Sequence, residues 1–138
     1  MSMRYYAVET KGLVMTRDEF KELLIKNNNE RLRKHLGIEN ISELENYDLN
    51  DFPIVDYTTY FYEIEGALYN LEDWEQKEFY DGEVVVITEL MKDNLFERYD
   101  SLEEIKEELK FNYKDFGIEL DDKFIEEHFG RFSGVYYA

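Results

Sequence analysis

An α+β domain, with a mixed or mainly antiparallel sheet of about four to five strands and helices packed on one face, is the fold class that this sequence predicts. Three observations lead to it. Runs of β-forming residues return through turns too short for the crossover helices that parallel strands need. Capping-box spacings, Ser or Thr followed three residues later by Glu, open helical patterns at Thr16, Ser42 and Ser101. The run Val84 to Ile87 is apolar without a break and reads as a strand covered on both faces. A chain of 138 residues is the size of one such domain, 1–138, with no linker or repeat to divide it.

In chain order, Met3 to Val8 is rich in β-formers and reads as the first strand, with Lys11-Gly12 as the turn after it. Thr16 and Glu19 open a helix whose Phe20, Leu23, Leu24, Leu32 and Leu36 fall near one face until Gly37. Asn27-Asn28-Asn29 interrupts that face, and because asparagine favours caps and turns, residues 17–36 form either one helix or two. Ser42 and Glu45 predict a short helix, which Phe52-Pro53 cannot continue. Val55 to Glu65 alternates on both faces and reads as an aromatic strand ended by Gly66. Ala67 to Leu71 either pairs back as a hairpin or begins a helix carrying Leu68, Leu71 and Trp74. Asp81-Gly82 marks a turn, and Val84 to Ile87 behind it is expected to be the central strand. Ser101 and Glu104 open the clearest helix, with Leu102, Ile105, Leu109, Tyr113 and Phe116 inward, up to Gly117. A shorter helix from Asp121 or Asp122 carries Phe124, Ile125 and Phe129 inward, stops at Gly130 and leads to a terminal strand, Phe132 to Tyr137.

Composition narrows the function. A hydrophobic fraction of 43% with 17% aromatic residues is too rich for a disordered chain. The absence of cysteine removes disulfides, a thiolate nucleophile and Cys-ligated metals, and points to an intracellular protein. No apolar run reaches the length of a signal peptide or a membrane span, so a cytoplasmic location is expected. The net charge is −17, unevenly placed: residues 1–37 hold 8 basic and 5 acidic side chains, residues 38–138 hold 8 basic and 28 acidic. Nucleic-acid backbones and anionic lipid surfaces are bound through Lys and Arg, so this body excludes both as partners and favours a basic protein surface.

Chemistry is sparse. His35 stands in a basic stretch near a helix end, where a cation interacts favourably with the helix dipole, and His128 reads as a surface histidine beside Glu126-Glu127. Neither has a second histidine at metal-binding spacing. The carboxylate pairs Glu72-Asp73, Glu103-Glu104 and Asp121-Asp122 are what 33 acidic residues produce by chance, and no nucleotide-binding or nucleophile-elbow motif occurs. Gly130-Arg131-Phe132-Ser133-Gly134 reads as a helix stop and a strand with one close-packing glycine rather than as a phosphate loop. No cofactor and no metal are expected. The helix after Ser101 places Glu103, Glu104, Glu107 and Glu108 opposite its apolar stripe, with Glu103/Lys106 and Glu107/Lys110 as surface pairs. Glu126 and Glu127 extend this carboxylate face. Tyr57, Tyr60 and Tyr62 are the candidate apolar anchors, because tyrosine is enriched at interface hot spots.

In composition over residues 38–138 the chain resembles small acidic, cysteine-free, tyrosine-rich inhibitors encoded by phages and mobile elements, among them anti-CRISPR and anti-restriction proteins. Many of these resemble DNA in charge, with carboxylates standing where phosphates would lie. The resemblance implies a non-catalytic inhibitor that docks onto the basic nucleic-acid-binding surface of a partner protein. The basic excess of residues 1–37 departs from a uniformly anionic mimic. A second reading is an accessory or regulatory subunit, self-associating where Lys26, Arg31, Arg33 and Lys34 of one copy face the acidic body of another. A third is a metal-dependent hydrolase built on Glu126, Glu127 and His128 with Asp121 or Asp122.

Overall fold

The first strand, β1 (Tyr5–Thr16), runs straight through Lys11-Gly12, where the sequence predicts a turn. Gly12 stands opposite Gly130 in an unbroken antiparallel ladder with the last strand, β5 (Phe129–Tyr137), so the chain does not reverse there. The structure is a computed structural model that describes residues 5–47, 57–80, 84–90 and 102–137. The predicted turn at Asp81-Gly82 and the predicted cap at Ser101 lie outside the described residues.

Among the described residues, every strand pairing is antiparallel. Strand β2 (Tyr57–Tyr69) pairs with β4 (Val84–Leu90) through residues 57–63 and with β5 through residues 64–69. Strand β1 pairs with β4 through residues 13–16 and with β5 through residues 5–13. The four strands β1, β4, β2 and β5 therefore form a closed cycle of pairings, with β3 (Glu75–Phe79) added to β2. The expected central strand is central, since β4 lies between β2 and β1. Closure explains a second misplaced boundary. Gly66 does not end β2, because it pairs with Phe79 of β3 and Gly134 of β5, and a Cβ there would lie 2.5 Å from the Ser133 carbonyl oxygen.

Alternation along β1 divides two cores. Val14 points into the sheet with Ile64, Leu68, Phe79, Val85 and Phe132, where the Phe79 and Phe132 rings meet edge to face at 5.7 Å. Leu13 and Met15 point the other way, into a layer of helices that covers this one face. Each fully buried Leu, Met or Phe in these cores contributes roughly 1.5–3 kcal/mol.

Helix α1 (Arg17–Lys26) opens on the expected capping box: the Glu19 amide donates to Thr16 Oγ1 at 3.2 Å, and the Thr16 amide donates to Glu19 Oε1 at 3.1 Å. The three asparagines then divide the run into two helices. Asn27 Nδ2 donates to the Leu23 carbonyl at 2.9 Å, and Asn29 caps α2 (Glu30–Leu36) by accepting from the Leu32 amide at 2.9 Å. The same two side chains hold the distant segment after the next long helix, Asn27 accepting from the Glu119 amide and Asn29 donating to the Gly117 carbonyl. Gly37 closes α2 at φ 72°, where an L side chain is strained. The next turn is a 3-10 helix (Ile41–Asn46) whose capping box is Asn40 with Glu43, not Ser42 with Glu45. Glu43 accepts from the amides of Glu39 and Asn40 at 2.8 Å each, which lowers its pKa.

Helix α3 (Leu102–Lys114) ends through Gly117 at φ 81°, with the Ile118 amide donating to the Tyr113 carbonyl at 3.1 Å. Helix α4 (Asp122–His128) starts at the predicted Asp121, which accepts from the Phe124 amide at 2.7 Å. It does not stop at Gly130. The chain passes at Phe129 directly into β5, and Gly130 is a strand residue pressed against the backbone of Tyr69. No helix among the described residues is long and apolar enough to cross a membrane.

Gly130 and Gly37 make opposite demands. At Gly130 an added Cβ would sit 1.9 Å from the Tyr69 carbonyl oxygen, whereas at Gly37 it meets nothing within 4 Å and only φ is unfavourable. Gly130→Ala is expected to destabilise by more than about 3 kcal/mol, through forced separation of β2 from β5. Gly37→Ala should cost about 1–2 kcal/mol. Urea unfolding of the two variants checks this, and equal losses would contradict closure of the sheet at that seam.

Candidate functional site

Helices α3 and α4 bring the predicted carboxylates onto one side of the molecule, and two lysines hold the helices together. Lys106 was expected to form a surface pair, yet its side chain is only 5% exposed. Its stem is buried beneath α3, and its ammonium emerges between Glu126 Oε1 of α4 at 2.5 Å and Glu103 Oε1 at 3.2 Å. The hydrogen bond to Glu126 raises the lysine pKa, desolvation opposes it, and Glu103 adds to the rise. The ammonium therefore stays charged. Lys110 pairs with Asp122 of α4 rather than with Glu107, and this bond holds the Asp122 carboxyl below its usual value. The turn between the helices lets Lys110 reach a carboxylate twelve residues ahead.

On the outer surface, Glu103, Glu104 and Glu107 are exposed, and Glu108 is half-buried with Asn112 Nδ2 at 3.5 Å. Glu126 and Glu127 of α4 are exposed, Glu127 at 3.9 Å from Lys123. Phe111 follows Glu104 and Glu107 at helical spacing and is 67% exposed, so an unburied aromatic ring stands on the acidic face. The sequence reading missed it by assigning apolar positions on this helix to the core stripe alone. Tyr57, Tyr60 and Tyr62 lie on β2, paired with Leu90, Ile87 and Val85 of β4, and their side chains fall outside the described residues.

His128 is not a surface histidine. Its side chain is 12% exposed and joins two elements far apart in sequence. Nε2 lies 2.7 Å from Glu19 Oε2, and Nδ1 lies 2.8 Å from the Phe124 carbonyl, with the ring stacked on Phe124 at 4.1 Å. A carbonyl only accepts, and so does a carboxylate, so both ring nitrogens donate and the ring is an imidazolium. Burial works to lower its pKa, but the bonds to Glu19 and Phe124 and the charges of Glu19 and Glu127 outweigh it and raise the pKa above the ordinary histidine value. Glu19 is held far below the carboxylate range by His128 first, against desolvation, and then by Lys77 Nζ at 2.8 Å and the Thr16 amide. This geometry disperses the carboxylate and histidine cluster considered for a metal site. Asp121 caps α4, Asp122 meets Lys110, Glu126 meets Lys106, and His128 faces Glu19. Among the described residues no group of three or more His, Asp and Glu side chains is placed to hold a metal ion.

His35 does end a helix, as expected, with its Nε2 3.0 Å from the Asp115 carbonyl and its ring against Phe116 at 5.1 Å. The basic cluster is partly engaged: Lys26 lies 3.8 Å from Asp121, Arg31 lies 3.9 Å from Asp115, and Arg33 bonds Asn28.

A further exposed feature is the turn between β2 and β3. Asn70 Oδ1 accepts from the amides of Glu72 and Trp74 at 2.9 and 3.0 Å, and the Asn70 amide donates to the Trp74 carbonyl at 2.9 Å. Asp73 takes φ 64°, a conformation that aspartate tolerates better than most side chains, and its carboxylate lies 3.7 Å from Arg131, which stacks over Tyr69 at 4.8 Å. The chain's one tryptophan is thereby presented at 69% exposure between Glu72-Asp73 and Glu75. A hydrogen bond between Glu75 and Glu78 on β3 raises the Glu75 pKa, a mark of the carboxylate density there. Acidity is not confined to α3 and α4: residues 38–101 hold 18 acidic and 3 basic side chains, residues 102–128 hold 10 and 4. Asn70 at the start of the turn and Asp73 before Trp74 are the sequence signals that would have chosen the hairpin over a helix.

No protein-family model, curated protein or solved structure matches the chain.

The His128–Glu19 contact fixes a pH window. The folded pKa of His128 is raised, so its stabilisation is complete below about pH 6.5 and is lost as pH rises through the folded value. The folded pKa of Glu19 is depressed, so its share is complete above the ordinary value of 4.5 and is lost as pH falls toward the folded value. At pH 6, His128→Gln is expected to lose about 1.5–3 kcal/mol, the range for a charged hydrogen bond, and the deficit should shrink on the alkaline side. Urea unfolding of both proteins from pH 5 to 9 measures it. Parallel pH profiles would contradict the charged pair.

Proposed function

We propose that the protein is a non-catalytic inhibitor that docks the acidic face of α3 and α4 onto the basic, nucleic-acid-binding surface of a partner protein. The observation that carries the reading is the Lys106 bridge. One buried-stem lysine holds Glu103 and Glu126 from two helices, which leaves their carboxylate oxygens within roughly 6 Å of each other and fixes the surrounding face. Duplex phosphates also present negative charges a few ångströms apart, roughly 3.4 Å of axis per charge on each strand. A rigid carboxylate array loses little conformational entropy when it replaces them. Exposed Phe111 supplies an apolar contact within the array.

Two further observations support binding over catalysis and over self-association. Asp121, Asp122, Glu126 and His128 of the considered hydrolytic cluster are committed to a cap and to interhelical pairs. Lys26 and Arg31 face carboxylates of their own chain, which reduces what the basic cluster could offer a second copy.

The test uses Glu104→Lys, Glu107→Lys and Glu127→Lys together, which reverse the face while sparing the Glu103–Lys106–Glu126 bridge. A partner is first captured from host lysate, and association is then followed by surface plasmon resonance at two salt concentrations with nucleic acid as competitor. The expected result is competition by nucleic acid, weaker binding at high salt and an association rate at least tenfold lower in the triple variant. Binding that ignores nucleic acid, salt and the triple reversal would overturn the reading.

A further inference from the structure

A groove of about 530 Å³ runs between the β2–β3 turn, the start of α3 and the end of α4. Its volume falls in the range of roughly 300–1,000 Å³ typical of ligand sites. Buried Phe129 forms the floor, half-buried Leu71 and Leu102 stand at its sides, and Glu72, Glu126 and Glu127 occupy the rim. The walls are fixed independently of any ligand. Asn70 pins the turn through both its side chain and its backbone. Gln76, oriented with its amide nitrogen toward the end of α4, donates to the carbonyls of Glu126 and Glu127 at 3.1 and 2.9 Å and so ties β3 to that helix. Exposed Trp74 belongs to the same pinned turn.

The geometry points to this groove as a docking site for a short basic segment of a partner protein that carries one large apolar side chain flanked by arginine or lysine. The apolar side chain enters between Leu71, Leu102 and Phe129, and the flanking cations meet the rim carboxylates. Charge complementarity selects this occupant. Glu72 and Glu127 stand exposed at the rim, Glu126 beside them shares its carboxylate with Lys106, and Glu75 and Glu78 extend the negative field along β3. An acidic or neutral peptide gains nothing from that field, and a purely polar one leaves the apolar floor uncovered. The site rests on the reading of the protein as a docking module, but it requires no likeness to nucleic acid.

Trp74 makes the test direct, because it is the chain's one tryptophan and its emission reports on this turn alone. The probe is a blocked synthetic pentapeptide with leucine at its centre and two arginines on each side. One control replaces the leucine by glycine, and another replaces the arginines by glutamates. The expected result is a saturable change in Trp74 emission with the arginine–leucine peptide, accompanied by amide shifts at Leu71, Leu102 and Phe129 in NMR spectra. Affinity should fall at least fivefold with the glycine peptide and at least fivefold in the variant carrying Glu72→Lys and Glu127→Lys, and the glutamate peptide should give no response. Both substituted positions are exposed, and unfolding curves of the variant check that it folds. Absence of saturation would overturn the proposal, as would equal affinity for the leucine and glycine peptides or unaltered affinity in the variant. Glu127 belongs to both surfaces, so the readings are separated by their probes: absence of nucleic-acid competition and salt dependence sinks the α3–α4 reading alone, and absence of peptide saturation sinks this one alone.

Discussion

The carboxylate of Glu19 is where three parts of the molecule meet. One oxygen accepts from the Thr16 amide and from Lys77 on β3, and the other accepts from His128 at the end of α4. The first contact starts α1, the second ties the added strand to the helical layer, and the third fixes the point where α4 becomes β5. Strand β5 in turn closes the cycle of pairings by lying between β1 and β2. A buried imidazolium without this carboxylate would meet its desolvation cost with only the Phe124 carbonyl and the charge of Glu127 to oppose it. An ion pair between residues near opposite ends of the chain thus adds to the apolar packing that holds the helical layer over Leu13 and Met15.

Local chemistry was legible in the sequence, and long-range chemistry was not. The capping box of Thr16 with Glu19, the left-handed stop at Gly37 and the cap at Asp121 follow from residues within four positions of one another. Glycine was the main source of error. At Gly12, Gly66 and Gly130 the sequence suggests an end, whereas all three lie within strands, and at Gly66 and Gly130 the fold uses the absent side chain for contact with a strand far away in the chain. Asn40 with Glu43 and Ser42 with Glu45 have the same spacing, and the first box prevailed because Glu43 accepts two amides at once.

The candidate site divides the same way. Exposure of Glu103, Glu104 and Glu107 was readable from helical periodicity. The burial of the Lys106 stem and its contact with Glu126, twenty residues on, were not, nor was the partner of His128, since Glu19 lies 109 positions away. Trp74 was obscured because helix and hairpin both fit its neighbourhood, and only Asn70 and Asp73 favour the turn. The exposed carboxylates of α3 and α4 place negative charge on helical backbone. A chain at −17 bears electrostatic self-repulsion that opposes its compact state.

The most direct measurement of the organising pair is the protonation of the His128 ring, followed by ¹⁵N NMR of the imidazole nitrogens from pH 5 to 9. Both nitrogens should carry protons at neutral pH, with the imidazolium persisting above the ordinary histidine pKa of 6.5 and changing only as pH rises through the raised value. In Glu19→Gln the same ring should titrate lower, because burial then acts without its counter-charge. A neutral His128 tautomer at pH 6, or a titration unmoved by Glu19→Gln, would contradict the claim that a charged histidine–carboxylate pair fastens the helical layer to the sheet.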